Sequence, residues 1–176
     1  MTPNDTLTLL FQAAQDGDEQ AFARLVRLTQ PTIWRIVASF RLSHVHEDLV
    51  QEIYLKVWLN RHAYRGEATV NAWIAGIARN TAIDSIRKSA RSRKLRRALE
   101  LSYTDIETRV ELSPEYRDLL SATSAENAEA FMLTQFVGLS YDEAAHVLQC
   151  PVGTIRSRIA RARTALLCAY QEAQTS

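Results

Sequence analysis

Glycine and proline are scarce in this chain, at five and four of 176 residues. With no long alternating β-branched runs either, strand-rich sandwiches and barrels are excluded and an all-α fold is predicted. Cysteine is scarcer still: Cys150 and Cys168 exclude a disulfide scaffold, so reduced thiols in a cytoplasmic protein are expected. No apolar run approaches membrane length and no signal peptide is read before residue 20, so the chain is not read as a membrane protein. The patterns of catalysis are missing too: there is no glycine-rich phosphate loop, nucleophile elbow or HExxH. His44, His46, His62 and His146 complete no metal-spaced cluster with the cysteines. Neither an enzyme, nor a metal centre, nor a bound cofactor is expected.

What is present is strongly segregated. The net charge of +1 hides a block at 79–97 with eight Lys or Arg and one acid, followed at 98–130 by eight acids and two arginines. Such segregation marks a footprint for a polyanion beside an acidic connecting stretch. Helical periodicity fades near Ala98 and returns after Pro114. We therefore expect two small helical domains, at 1–97 and 115–176, joined by a flexible linker at 98–114.

Taken in order, Leu7, Leu10, Phe11 and Ala14 form an amphipathic set with Asn4 or Asp5 as its cap. Asp18 caps a second segment carrying Phe22, Leu25 and Val26, and the pattern resumes beyond Pro31 with Ile33, Trp34, Val37 and Phe40. Between Val45 and Asn60, Leu49, Val50, Ile53, Tyr54 and Val57 face a core. Asp48, Gln51, Glu52, Leu55 and Leu59 gather opposite. Leucines bordered by acids suggest a protein-binding face. The stretch from His62 to Val70 is polar and reads as a loop whose Tyr64 and Arg65 are both able to stack on unpaired bases. From Asn71 a helix places Trp73, Asn80, Asp84, Arg87 and Arg91 on one side and Ile74, Ala78 and Ala82 on another. That stripe joins a stacking ring to base-edge and phosphate contacts. An alternative is a buried Trp beside a weak Asp84–Arg87 ion pair. Leu119, Leu120, Phe131, Met132, Leu133 and Phe136 are the expected core of a segment ending at Gly138.

The stretch Leu139–Leu167 is a short helix, a break at Gln149-Cys150-Pro151 and a second helix. Ile155, Ile159, Ala162 and Leu166 recur on one face of that helix, and Arg156, Ser157, Ala160 and Arg161 share another. Four arginines and no acid between Val152 and Leu167 complete the pattern of a helix-turn-helix whose second helix enters a DNA major groove.

Three blocks then carry a resemblance: DLVQEIYLKVW (48–58), NAWIAGIARNTAIDSIRK (71–88) and LSYDEAAHVLQCPVGTIRSRIARAR (139–163). They resemble the extracytoplasmic-function (ECF) group of bacterial sigma factors of the sigma-70 family. The resemblance implies a region-two bundle that binds the β′ clamp helices of core RNA polymerase and captures the melted −10 promoter element. It also implies a region-four helix-turn-helix that binds the β flap and reads the −35 element. By it, Asp48, Gln51, Glu52 and Leu55 bind polymerase. Tyr64, Arg65, Asn71, Trp73, Arg79, Asn80, Asp84, Arg87 and Lys88 serve the −10 element. Arg156, Ser157 and Arg161 face −35 bases, with Thr154, Arg158 and Arg163 at phosphates. Promoter DNA and core polymerase are the implied partners, together with an anti-sigma factor, often membrane-anchored, that restrains the protein.

This chain departs from the pattern at three places. Ala160 stands where some members carry a larger side chain on the DNA face, which bears on the −35 preference. Gln149 stands at a turn position that is often glycine, where left-handed geometry costs about 1 kcal/mol. Residues 121–124 lack the usual Leu-Pro start. Two other readings are a one-component helix-turn-helix regulator and a sigma mimic that sequesters an anti-sigma factor. Basic DNA faces in both halves argue against the mimic.

Overall fold

The computed structural model describes residues 3–40, 46–98 and 121–175. Among them are seven α-helices and one 3-10 turn, with no strand: α1 (Pro3–Gln15), α2 (Glu19–Ser39), α3 (His46–Leu59), the 3-10 turn (Arg61–Ala63), α4 (Val70–Ala98), α5 (Ala125–Gln135), α6 (Tyr141–Leu148) and α7 (Val152–Thr175). The expected linker, the start of the second domain at 115, and Leu119 and Leu120 fall on residues outside the described ones, apart from Ala98.

The local chemistry of the first half follows the sequence closely. The carboxylate of Asp18 accepts from the backbone N–H groups of Gln20 and Ala21 at 2.9 and 3.0 Å, satisfying donors the first turn of α2 leaves open. Gly17 makes the preceding reversal at φ +96°, a backbone conformation costly for any other residue. Two expectations need correction. α1 already begins at Pro3, so Asn4 and Asp5 lie inside its first turn, where proline at a helix start loses nothing by lacking an N–H. Nor does Pro31 divide α2, which runs unbroken through it. Proline leaves the carbonyl four residues back, that of the exposed Arg27, without its helical donor, and water can supply the substitute.

Helices α1 to α4 pack together around Phe11, Leu25, Ile33, Ile53, Val57 and Ile74, all fully buried. The α3 prediction holds in detail, since Leu49, Val50, Ile53, Tyr54 and Val57 are all buried. A buried polar link ties α2 to α3. The Tyr54 hydroxyl lies 2.9 Å from Thr29 Oγ1, and the Thr29 hydroxyl also donates to the Leu25 carbonyl at 2.8 Å. Satisfying each hydroxyl is what makes the pair tolerable in an apolar core.

In the second half α5, α6 and α7 pack on one another. Met132, Leu133, Val147, Ile155, Ile159 and Ala162 are buried, and burial of each large aliphatic side chain contributes about 1.5–3 kcal/mol. Ser124 caps α5, accepting from the Asn127 N–H at 3.4 Å. Phe136, expected in the core, is 42% exposed because α5 ends at Gln135 and the chain turns away there. Gly138, at φ +84°, makes that turn, and the Leu139 N–H reaches back to the Leu133 carbonyl at 3.0 Å.

Burial pushes the Tyr54 phenol up to about 12 from its ordinary 10, the Thr29 hydrogen bond opposing the shift. Because the folded value is the higher one, the stabilisation is complete below pH 10 and is lost as pH rises toward 12. Chemical denaturation followed across that range should lose about 2–3 kcal/mol that Tyr54→Phe does not lose. Identical pH profiles for the two proteins would refute the assignment.

Candidate nucleic-acid and polymerase interface

Helix α3 turns its second face to solvent. Asp48, Gln51 and Glu52 are exposed, and Leu55 and Leu59 are 57% and 66% exposed. Two leucines this bare beside three polar residues make an apolar strip with an acidic border. Glu52 also pairs with Lys56 at 2.7 Å, an i,i+4 contact at the edge of the strip.

Lys56 leads to the neighbouring surface. Its ammonium donates to Thr81 Oγ1 at 3.3 Å across the α3–α4 groove. An open cleft of about 330 Å³ lies there, lined by Lys56, Asn60, Ala63, Trp73, Ile77, Asn80, Thr81 and Asp84. Three of the residues expected on the −10 stripe, Trp73, Asn80 and Asp84, therefore meet at one concavity. Arg87 continues the line along α4, 3.6 Å from Asp84, with both side chains about 70% exposed. So exposed a pair contributes little to stability, which leaves the guanidinium available to another anion. Lys88 and Arg91 are exposed farther along the helix, while Asn71 is half-buried at its start.

Sequence reading misses Lys56, Asn60, Ile77 and Thr81 as lining residues. The signal was the four-residue spacing of Glu52 and Lys56 on one side of α3 and Asn60 just past its end, which acquires meaning only once α4 is seen beside it.

Tyr64 stands differently from expectation. Its ring packs edge-on against Phe11 and Trp73, with centroids 5.1 and 5.5 Å away, and its hydroxyl donates to the Ala68 carbonyl at 2.6 Å. Burial raises its pKa. Tyr64 thus fixes the loop and backs Trp73 rather than offering a free stacking face. Arg65, Gly66 and Glu67 are exposed at the loop tip.

In the helix-turn-helix, the α6 N-terminus carries a full capping box. Ser140 Oγ accepts from the Glu143 N–H at 3.2 Å, and Glu143 Oε2 accepts from the Ser140 N–H at 2.7 Å. The turn is made by Gln149 in left-handed geometry at φ 52°. Its side-chain amide donates to the His146 carbonyl at 3.2 Å. Cys150 is half-buried against the core in the turn.

Beyond it Ile155, Ile159 and Ala162 point inward, and Arg156, Ala160 and Arg161 are exposed together, with Ser157 half-buried and donating to the Thr154 carbonyl at 2.9 Å. Arg158 is turned toward Cys150 Sγ, 4.0 Å away. It also helps hold the Glu126 carboxyl below the ordinary range, after the hydrogen bonds from the Glu126 backbone and Ser124. Arg163 donates to Gln135 Oε1 at 3.3 Å. Arg156 and Arg161 are the cations of this helix that stand on its exposed face with Ala160 between them.

Arg79 is the residue whose position departs most from the stripe. About 100° around α4 from Asn80, it points toward the second half and binds Glu129 of α5 through both carboxylate oxygens, at 2.7 and 3.1 Å. Thr69, just before α4, donates to the second carboxylate oxygen of Glu143. Arg35 of α2 donates to the Phe136 carbonyl at 3.1 Å. Helix α4 itself packs directly on α6. None of these contacts has a local sequence signature, because their partners lie 50, 74 and 101 residues apart.

Comparison with known proteins follows the same two-part division. A model of "Sigma-70 region 2" matches residues 25–92, and one of "Sigma-70, region 4" matches 115–166. The chain is 36% identical over 172 residues to a probable RNA polymerase sigma-C factor of Mycobacterium bovis, covering 93% of this chain and 91% of that one. It is 30% identical over 181 residues to the ECF RNA polymerase sigma-E factor of Escherichia coli K12, covering 94% and 95%. Among solved structures, CnrH in complex with the cytosolic domain of CnrY superposes with a TM-score of 0.72 at 25% identity, over 95% of this chain and 98% of that one. The sigma factor RpoE in complex with the anti-sigma factor NepR, from Bartonella quintana, gives 0.66 at 27% identity over 85% and 96%.

The turn supplies a test of the local energetics. Gln149→Gly removes the left-handed strain but also the side-chain bond to His146. It should therefore stabilise the protein by about 0.5–1 kcal/mol, or raise Tm by roughly 1–4 °C. A lower Tm in thermal unfolding would contradict the strain.

Proposed function

The chain belongs to the ECF group of sigma-70 family RNA polymerase sigma factors, and from that premise we propose which surfaces do its work. A sigma factor catalyses no reaction. It lends core polymerase its choice of promoter through differential binding. We assign residues 1–97 to the −10 element and to polymerase, 115–176 to the −35 element, and 98–114 to the connection between them.

The observation that carries the proposal is the convergence of Trp73, Asn80 and Asp84 on the cleft between α3 and α4. A cleft of about 330 Å³ accommodates a planar base, and its wall offers an aromatic ring, an amide, a carboxylate and the Lys56 ammonium. An unpaired base from the melted −10 strand can enter there while Arg87, Lys88 and Arg91 meet the phosphates beyond. Tyr64 holds the cleft's Trp73 in place, and Arg65 at the loop tip approaches the same strand. Asn71, half-buried at the start of α4, lies next to that loop and is assigned to the same strand.

The exposed leucine strip of α3, with Asp48, Gln51 and Glu52 at its border, suits the β′ clamp helices: burial of Leu55 supplies affinity and the acids set orientation. Helix α7 suits the −35 major groove, with Arg156 and Arg161 on base edges, Ser157 beside them and Thr154, Arg158 and Arg163 toward phosphates. Arg158 would have to leave Cys150 and Glu126 to reach DNA, so its contribution is smaller. The small Ala160 leaves room between the two arginines and bears on the −35 preference.

An anti-sigma factor, membrane-anchored in the pattern of the group, would cover the same strip, since two relatives of known structure are described as complexes with such partners or with a partner's cytosolic domain. Among the described residues no helix is long and apolar enough to cross a membrane.

Two predictions test these surfaces. Arg156→Ala or Arg161→Ala should each weaken −35 recognition by about 1–3 kcal/mol, measured as transcription in vitro from a mapped promoter against one mutated at −35. Equal output from both templates in wild type and variants would remove the assignment. Asp48→Arg with Glu52→Arg should leave the circular dichroism spectrum intact and abolish co-purification with core polymerase. Recovery at wild-type yield would overturn the α3 surface.

A further inference from the structure

We propose that helix α1 is a working part of the −10 cleft, and that Arg61 is the positioning residue through which α1 holds the cleft wall. This rests on the assignment of the −10 strand to that cleft. It goes further because α1 lies upstream of residues 25–92, the segment that matches region 2, and contributes no lining residue of its own.

Asn60 and Ala63 line one side of the cleft, and Arg61, between them, lines none of it. A 3-10 turn of three residues has little hydrogen bonding of its own to hold it. Arg61 supplies the anchorage. Its Nε donates to the Ala14 carbonyl in the last turn of α1 at 3.1 Å, and its Nη1 donates to the Trp58 carbonyl in the last turn of α3 at 2.7 Å. The Ala14 carbonyl also takes the Gly17 N–H, at 3.2 Å. Carbonyls at a helix end lack a helical donor and carry partial negative charge, so one cation set between two such ends is favourable to both. The guanidinium also lies over the Trp58 ring, 3.9 Å from its centroid, and that ring packs on Phe22 of α2 at 4.8 Å. A planar guanidinium makes these contacts together, where a compact ammonium would not. Gln15 closes the circuit from the α1 side, its amide donating to the Arg61 carbonyl at 2.7 Å.

The cleft floor has a second support from the same helix. Phe11, fully buried, meets Tyr64 at 5.1 Å and Trp73 at 5.3 Å, and Tyr64 meets Trp73 at 5.5 Å. Three rings in mutual edge contact fix one another's orientation. Trp73 is the aromatic ring of the cleft, and Tyr64 directly follows the turn. Phe11, Ala14 and Gln15 stand three and four residues apart, so both supports leave one face of α1. Holding wall and ring in place before binding lowers the cost of taking up an unpaired base. The benefit falls on the −10 element and leaves the −35 contacts of α7 untouched.

Transcription in vitro with core polymerase, from a mapped promoter and from copies mutated at −10 or at −35, tests this. Arg61→Ala should lower discrimination at −10 by about two- to tenfold, the cost of ordering one side chain on binding, and leave discrimination at −35 unchanged. Phe11→Leu, which keeps apolar volume but removes the ring edges, should do the same. A role confined to stability would instead move both elements together, and Tyr54→Phe, a core change on the α2 side of α3, would match it. All proteins are compared well below their melting temperatures. Discrimination at −10 that stays at the wild-type level in the folded variants, or falls equally in Tyr54→Phe, would overturn the role of α1. Amide hydrogen exchange at Ala63 and Tyr64 should quicken in Arg61→Ala, and unchanged exchange would remove the positioning role. If Arg61→Ala does not fold, Gln15→Ala carries both comparisons, since it removes only the bond to the Arg61 carbonyl. The cleft assignment fails separately. Unchanged −10 discrimination in Trp73→Ala would remove that assignment, whereas a loss there beside unaffected Arg61 and Phe11 variants removes only the role of α1.

Discussion

A helix offers only its circumference, and α4 divides its own among three neighbours. One side, with Ile74, Ala78 and Ala82, closes the four-helix core. A second, with Trp73, Asn80 and Asp84, forms the floor of the cleft beside α3. The third carries Arg79 toward α5 and packs on α6. At about 100° per residue these sides are set by single positions, so Arg79 and its neighbour Asn80 serve different surfaces. The small side chains of this helix are what let other helices approach it on two sides at once.

The same economy appears at the cleft. A ring that lines a cleft stacks on a ligand at less cost when it is already held still, because no ordering on binding offsets the stacking gained. Phe11 and Tyr64 meet Trp73 edge-on at 5.3 and 5.5 Å, and Tyr64 is in turn fixed by its bond to Ala68. Lys56, Asn60, Asn80 and Asp84 of the cleft are exposed or half-buried, and they can exchange water for a ligand without leaving a buried group unpaired. The exposed leucines of α3, a few residues away, follow the opposite logic. They lower the solubility of the free protein slightly and make a partner's approach favourable.

The second half is rigid where it is small. α6 has only eight residues, too few to be stable alone, yet it has a capping box at one end and a left-handed Gln149 at the other. Fixing both ends sets the angle at which α7 leaves the turn, and that angle aims Arg156 and Arg161. Arg158 and Arg163, on the flanks of the same helix, are engaged by Cys150 and Gln135 instead. One helix thus carries two arginines engaged within the chain and two, Arg156 and Arg161, on its exposed face.

By itself the sequence determined the helical class, the caps at Asp18 and Gly138, and the inward and outward faces of α3, α4 and α7. Those features depend on residues within two turns of one another, and helical period reports them directly. It also carried the family resemblance, because three blocks in order are a linear pattern. Only the tertiary structure decided that Tyr64 supports Trp73, that Lys56 and Asn60 join Asn80 at one cleft, and that Arg79 is held by Glu129. It alone showed that Pro31 leaves α2 whole and that Phe136 stays outside the core. Periodicity gives the direction in which a side chain leaves its own helix, but not what stands across from it. Which neighbour that is depends on how helices many residues apart pack together, and no local spacing encodes it.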